Sequence, residues 1–354
     1  MKTLKGPSIF LSQFIGDRPP FNSLDTLAVW AAGLGYKAVQ IPTHLPHIFD
    51  LRKAAESKDY CAEISGTLAN VGLKISELST HLQGQLIAVH PAYDAAFAGF
   101  APPELAHDAQ ARQQWGIESL KQAARASQNL GLKAHATFSG ALVWPYFYPW
   151  PPRNAVLIDE AFKELAKRWR PVLDAFDEAG VDVCYELHPG EDLHDGVTFE
   201  RFLKLVDNHP RCNLLFDPSH MLLQHMDYLG FIDLYHSRIK AFHVKDAEFQ
   251  RSARSGVYAG FQPWVERPGR FRSLGDGQVD FKGIFSRLAQ YDYEGWATLE
   301  WECCLKSGEA GAREGAKFIS DHIIPVAEYA FDDFAQHDSN IATVQKMLGL
   351  EGGR

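Results

Sequence analysis

Four short segments concentrate the groups that could do chemistry: Tyr185-Glu186-Leu187-His188-Pro189, Phe216-Asp217-Pro218-Ser219-His220, Phe242-His243-Val244-Lys245-Asp246 and Leu299-Glu300-Trp301-Glu302. Each opens apolar, as a buried strand does, and closes on a carboxylate or an imidazole. Parallel strands that bury their bodies and present ionisable ends would bring Glu186, Asp217, His243 and Glu300 to one mouth. Three carboxylates in one pocket repel one another unless protons or a divalent cation neutralise them. The expectation is a metal site with Glu186, Asp217, His243 and Glu300 as ligands. Hard oxygen with a single nitrogen suits Mn²⁺ foremost, and Mg²⁺, Co²⁺ or Fe²⁺, better than a thiolate-held zinc. A cation so held polarises a carbonyl and a neighbouring hydroxyl, stabilising an enediolate. Glu186 and Glu300, facing each other across a substrate, would then be the catalytic pair, one removing a proton and the other returning one.

Positioning these groups requires a repeating scaffold. Apolar runs suited to strands occur at Ser8–Phe14, Lys37–Ile41, Lys74–Leu78, Lys133–Phe138, Asp182–Leu187, Asn213–Asp217, Ile239–Val244 and Trp296–Trp301. Helical patterns fall between them at Ser23–Leu34, Asp108–Leu130, Asp159–Ala179, Thr198–Asn208, Asp233–Ser237 and Phe281–Gln290. Glycines at 35, 72, 131 and 180 stand where a helix should end before the next strand. Eight strand–helix units favour an α/β fold closed as a single (β/α)8 barrel over residues 1–354. Two insertions break the repeat. Leu142–Asn154, after the fourth strand, carries Trp144, Tyr146, Phe147, Tyr148 and Trp150 among prolines and is expected either to wall or cover the mouth or to form a structured surface loop, in a subunit contact for example. Phe249–Val279, after the seventh strand, ends in an Arg- and Gly-rich run suited to folding over an anionic or hydroxyl-rich ligand. Residues 318–354 read as closing helices, a C-terminal extension.

Further side chains lie close enough to these strand ends to contact a substrate: His188, His220, Lys245, and Arg272 from the second insertion. His81 and His135 end the third and fourth strands, where they suit ligand hydroxyls or proton transfer. Each has a plainer alternative. A strand histidine is often a satisfied core residue, and Arg272 could simply pair with Asp276. Glu302 competes with Glu300, because it would share its face if the strand continued.

Composition narrows the function classes. A hydrophobic share of 46% supports a large core, and a net charge of −9 offers no general attraction for nucleic acid. The five cysteines are odd in number and lack CxxC spacing, so free thiols are expected rather than a disulfide framework. The Lys-containing start has no long apolar run, so no secretion signal or membrane span is expected and the cytoplasm is the default location.

The residues around Glu186 with His188-Pro189-Gly190, Asp217-Pro218-Ser219-His220, and His243-Val244-Lys245-Asp246 resemble those of the xylose-isomerase-like TIM-barrel superfamily. The likeness runs from Gly35-Tyr36-Lys37-Ala38-Val39-Gln40 to Tyr293-Glu294-Gly295-Trp296. That superfamily includes ketose 3-epimerases, inosose dehydratases and, more distantly, metal-dependent AP endonucleases. The resemblance implies the same four metal ligands, with His220 contacting substrate. It implies a sugar isomerase or epimerase acting on a keto-sugar or cyclitol. The alternative it brings is a lyase that cleaves a 3-keto-glycoside by β-elimination, of the kind that works with a small partner subunit. The expected partners are a sugar or glycoside and, in the assembly, a second copy of the chain or such a subunit.

Overall fold

The computed structural model describes residues 3–327 and 340–350. Eight parallel strands close into a barrel: β1 (Lys5–Phe10), β2 (Ala38–Pro42), β3 (Lys74–Ser79), β4 (Ala134–Thr137), β5 (Asp182–Glu186), β6 (Cys212–Phe216), β7 (Ile239–Val244) and, beyond a two-stranded ribbon, β10 (Trp296–Leu299). Closure comes from β10 lying between β1 and β7, with Ile9 opposite Leu299 and Thr298 opposite His243. A closed ring leaves no unpaired sheet edge. The expected strands are all present, with shifted ends. The first starts at Lys5 and stops at Phe10, and the last stops at Leu299, so Phe14 and Trp301 lie in loops.

The two sides of each strand bury different things. Outward residues join a core of large side chains between barrel and helices, including Trp169, Phe176, Phe199, Phe202 and Phe285. Inward residues are small: Ala134, Ala136, Cys184, Leu215 and Ala241 form a separate cluster that fills the barrel. Side chains alternate across a strand with period two. Counting two residues on from Cys184, Leu215 and Ala241 gives Glu186, Asp217 and His243, so the parity that packs the interior also delivers those side chains to one end.

Helices end on left-handed glycines as expected, for example Gly131 with φ 71° and Gly180 with φ 70°. Long helices at Ala109–Asn129 and Ala155–Ala179 match the sequence patterns, while the pattern at Asp233–Ser237 is realised as Tyr228–Tyr235. Short helices at Leu51–Glu56, Lys58–Ala69 and His81–Gln85 were not marked by periodicity. The closing segment enters the helix Gly308–His322, and a further helix spans Ile341–Met347. The remainder of the expected C-terminal extension, 328–339 and 351–354, lies outside the described residues.

Both insertions are anchored by buried aspartates. Asp192 accepts the backbone amides of Leu142 (2.7 Å) and Val143 (2.9 Å). Asp246 accepts those of Ala247, Gly275, Gly277 and Val279 at 2.8–3.2 Å. The second insertion is also more regular than its sequence suggests. Its base is an antiparallel ribbon of β8 (Asp246–Phe249) and β9 (Gly269–Arg272).

Candidate active site at the barrel mouth

Glu186, Asp217, His243 and Glu300 each direct one ligand atom into a common space, those atoms lying within 4.8 Å of one another, and all four residues are buried. Two nearby cations offset part of their charge. Lys245 Nζ lies 3.1 Å from Glu300, 2.6 Å from Glu302 and 3.8 Å from Asp217. His243 Nδ1 lies 3.1 Å from Glu300 Oε2. Burial disfavours the charged forms, yet in Glu186 the hydrogen bond from His220, with His81 and the charge of His243, prevails and holds its carboxyl well below the usual range. In Glu300 the charge of Lys245 and then His243 likewise outweighs burial and lowers the pKa. Asp217 is the exception, where burial dominates and raises its pKa to about 6. Burial lowers and Glu300 raises the pKa of His243, leaving it at about 9, and Lys245 is likewise raised well above the ordinary amine value, with Glu300 the leading charge against burial.

The donor set fits a divalent cation. Asp217 Oδ2 and Glu186 Oε2 are buried without a hydrogen-bond partner, although His81 Nε2 comes within 2.8 Å of the latter. Orphaned carboxylate oxygens of this kind are costly unless a charge completes them. The imidazole is also aimed. His243 Nε2 is 3.0 Å from Gln40 Oε1, and the Gln40 amide nitrogen faces Glu77 Oε2 at 3.3 Å. That chain assigns the Nε2 proton to the Gln40 bond and leaves Nδ1 facing the carboxylates, as outer partners of metal-binding histidines do.

The secondary candidates divide. His220 Nε2 lies 3.1 Å from Glu186 and 3.4 Å from Lys245 Nζ, inside the cluster. His81 also reaches it, its Nδ1 held by Ser79 Oγ at 2.5 Å. His188 packs its ring 4.1 Å from His220 and faces the mouth; burial, then His220, pushes its pKa down to about 3, so it is neutral. Arg272 pairs with Glu248 at 2.7 Å, rather than with Asp276, whose partner is Lys306. His135 sits elsewhere. It lies between the inward Ala134 and Ala136, so it points out of the barrel, with its ring on Phe176 and Nε2 2.7 Å from Thr80 Oγ1. Burial pushes its pKa down to about 3. It is a core histidine away from the mouth, and the expectation that it binds substrate is corrected.

Above the cluster opens a cavity of about 520 Å³ lined by Gln13, His188, Trp264, Phe271, Trp301, Glu302, Cys303 and Cys304. Phe271 lies over Lys245 Nζ at 4.2 Å, and Gln13 donates to Glu300 at 3.1 Å. The aromatic walls therefore come from the second insertion and the end of β10. The first insertion stacks Trp144 on Phe147 (4.7 Å) and sets Phe147 and Tyr148 against Tyr258 of the second insertion. Sequence reasoning missed Gln13, Gln40 and Glu77. The signal for Gln40 was present, as a polar residue inside the apolar run Ala38–Pro42.

Comparison with known proteins follows this geometry. An inosose dehydratase of Lacticaseibacillus casei is 30% identical over 145 residues, 41% of this chain and 48% of its own length. One of Clostridium tetani is 27% identical over 168 residues, 47% and 54% of the two chains. The matches thus span about half the length of these curated relatives. Among solved structures, the probable 3-DHS dehydratase AsbF of Bacillus anthracis superposes with a TM-score of 0.60 at 18% identity, covering 88% of this chain and 98% of that one. A 3-keto-D-glucoside 4-epimerase from E. coli gives 0.59 at 12% identity over 89% and 98%. At such identities these structures speak to the fold alone. The sequence profile described as xylose isomerase-like TIM barrel matches residues 28–322, and the chain belongs to that family.

Proposed function

We propose that the protein is a divalent-metal-dependent sugar isomerase or epimerase that moves a proton beside the carbonyl of a keto-sugar or cyclitol. The observation that carries this reading is the convergence of Glu186, Asp217, His243 and Glu300 within 4.8 Å beneath an open cavity. A cation held by these four would act as a Lewis acid on the substrate carbonyl and adjacent hydroxyl, with Mn²⁺ the preferred ion. The chain supplies the remainder. Glu186 and Glu300 are held ionised, so either can accept the proton, and the one that accepts it can return it to the substrate. Lys245 places a fixed positive charge beside both Glu300 and Asp217, where it would favour the substrate oxygen on which negative charge gathers as the proton leaves the carbon. His220 orients Glu186, and neutral His188 offers hydrogen bonding to a hydroxyl from the cavity wall. Trp264, Phe271 and Trp301 exclude water and provide faces for a sugar ring.

A second reading uses the same groups for elimination. Proton removal beside the carbonyl expels water or an aglycone when a leaving group sits one carbon further on. The dehydratase names of the curated relatives favour it, as does a cavity with three aromatic walls, large enough for a 3-keto-glycoside. Five free thiols among the described residues suit a reducing cytoplasm. No helix among them is long and apolar enough to cross a membrane.

The deciding experiment incubates metal-stripped and Mn²⁺-restored protein with keto-sugars, inososes and 3-keto-glycosides in D₂O. Deuterium beside the carbonyl in a rearranged sugar, only with Mn²⁺, is the expected result. Loss of water or release of aglycone selects the elimination reading. Equal turnover with and without metal would overturn both.

A further inference from the structure

The cavity wall carries a feature that the proposed chemistry does not use, the adjacent thiols Cys303 and Cys304. The other three cysteines, Cys61, Cys184 and Cys212, are buried, and burial raises the pKa of each. Buried thiols of that kind are protonated and inert. Cys303 is only partly buried and stands where β9 and the loop after β10 meet. Trp301 Nε1–H ties the two segments by donating to Ser273 Oγ at 3.2 Å, and Lys306 reaches across to Asp276 at 2.6 Å. Within this junction the backbone N–H of Lys306 donates to Cys303 Sγ at 3.4 Å. Successive amides turned towards one atom make a small concavity that favours an anion.

We propose that Cys303 is a modification site: a partly exposed thiol in the wall of the cavity above the carboxylate cluster that peroxides and alkylating electrophiles reach, and whose modification obstructs that cavity. Its environment supports this. Burial alone would raise its pKa, but the amides of Leu305, Lys306 and Ser273, with the charge of Arg272, lower it below the ordinary thiol value. With a peroxide, the thiolate sulfur attacks one oxygen and an S–O bond forms as the O–O bond breaks. Hydroxide leaves, the sulfur is oxidised by two electrons to a sulfenic acid, and the peroxide is reduced. Cys304, next in the chain, lines the same wall and serves as the internal comparison. The step needs no substrate, so the proposal stands or falls apart from the proposed reaction.

The test treats the Mn²⁺-loaded full-length protein with limiting iodoacetamide and locates the adduct by fragmenting the peptide that holds both thiols. Cys303 is expected to label about tenfold faster than Cys304 at neutral pH, as an anion-stabilised thiol should. Cys304→Ser is expected to keep the fast phase and, after peroxide, to give a dimedone adduct at position 303. Cys303→Ser is expected to lose the fast phase. First labelling at Cys304, even labelling of both, or no dimedone adduct at 303 in Cys304→Ser would overturn the proposal. Localisation in the unsubstituted protein decides the question even where a variant folds poorly.

Discussion

Replacing Lys245 with Met removes the central positive charge of the mouth while keeping most of its stem, and its effect can be worked from the geometry. The ammonium is buried and 3.1 Å from Glu300, with Asp217 at 3.8 Å. At an effective dielectric near 20, one unit-charge pair at the Glu300 separation is worth about 5 kcal/mol before desolvation is deducted. The contact with Glu302 is shorter, at 2.6 Å, but that carboxylate is half-exposed and contributes less. Deleting one partner of a buried pair typically costs about 3–5 kcal/mol, because the other charge is left uncompensated. For a chain of this size that lowers Tm by about 2 °C per kcal/mol, so the loss in EDTA should be roughly 6–10 °C. Divalent ion should repair it. The variant's site carries one more net negative charge, so Mn²⁺ should bind more tightly and raise its Tm by a larger increment than in the unsubstituted protein. Calorimetric scans at one fixed rate, with EDTA and across a Mn²⁺ titration, read both quantities. An unchanged Tm in EDTA, or a smaller Mn²⁺ increment in the variant, would refute Lys245 as the counter-charge of an ion-ready carboxylate cluster.

Three further outcomes are expected. Gln40→Leu removes the acceptor that fixes the His243 tautomer, so calorimetric Mn²⁺ affinity should fall about 10–100-fold with the fold intact; unchanged affinity would sink the orienting role. His135→Ala should lower Tm through lost packing on Phe176 and a lost bond to Thr80, costing about 2–4 kcal/mol, while leaving Mn²⁺ affinity unaltered. A large change in metal binding would return His135 to the mouth. Burial pushes Glu191 up to about 8, whereas in the unfolded chain it ionises near 4.5. Its raised folded pKa makes the neutral form a stabilising contribution complete below about 4.5 and lost as pH rises through 8. Glu191→Gln should therefore match the parent in Tm at pH 5 and exceed it at pH 9; the same difference at both values would show that Glu191 does not titrate there.

The barrel was legible because every strand is an apolar run and β2 to β5 are announced a second time, by the glycine that ends the preceding helix. The convergence of Glu186, Asp217, His243 and Glu300 was legible for a related reason, since each lies at or beside the end of an apolar strand. Glu300 rather than Glu302 joins them because β10 ends at Leu299, so the alternation that would have placed Glu302 on the same face does not continue. What failed was parity and partnership. His135 lies inside β4 rather than at its end, and its neighbours Ala134 and Ala136 belong to the cluster inside the barrel, which turns the imidazole outward. That pattern was readable and was not used. Arg272 depended on Glu248, a residue on the opposing strand of a ribbon whose pairing depends on contacts made across the insertion. The course of the first insertion could not be read from its own residues, because Asp192, fifty residues away in sequence, holds the amides of Leu142 and Val143 at its start.

The ribbon at the base of the second insertion also determines how this protein could be diversified. Phe249 and Gly269 are paired across it, so residues 250–268 leave and re-enter the scaffold at nearly the same point. The amide clamp at Asp246 secures the stretch beyond, through Val279, one residue from Lys245 in the chain. Residues 250–268 are thus a cassette with a fixed socket, and their only residue in the cavity wall is Trp264. Exchanging the cassette for sequences of other lengths would redraw the outer wall of the pocket while the carboxylate floor kept its register, so that the shape of the cavity is separable from the cluster beneath it.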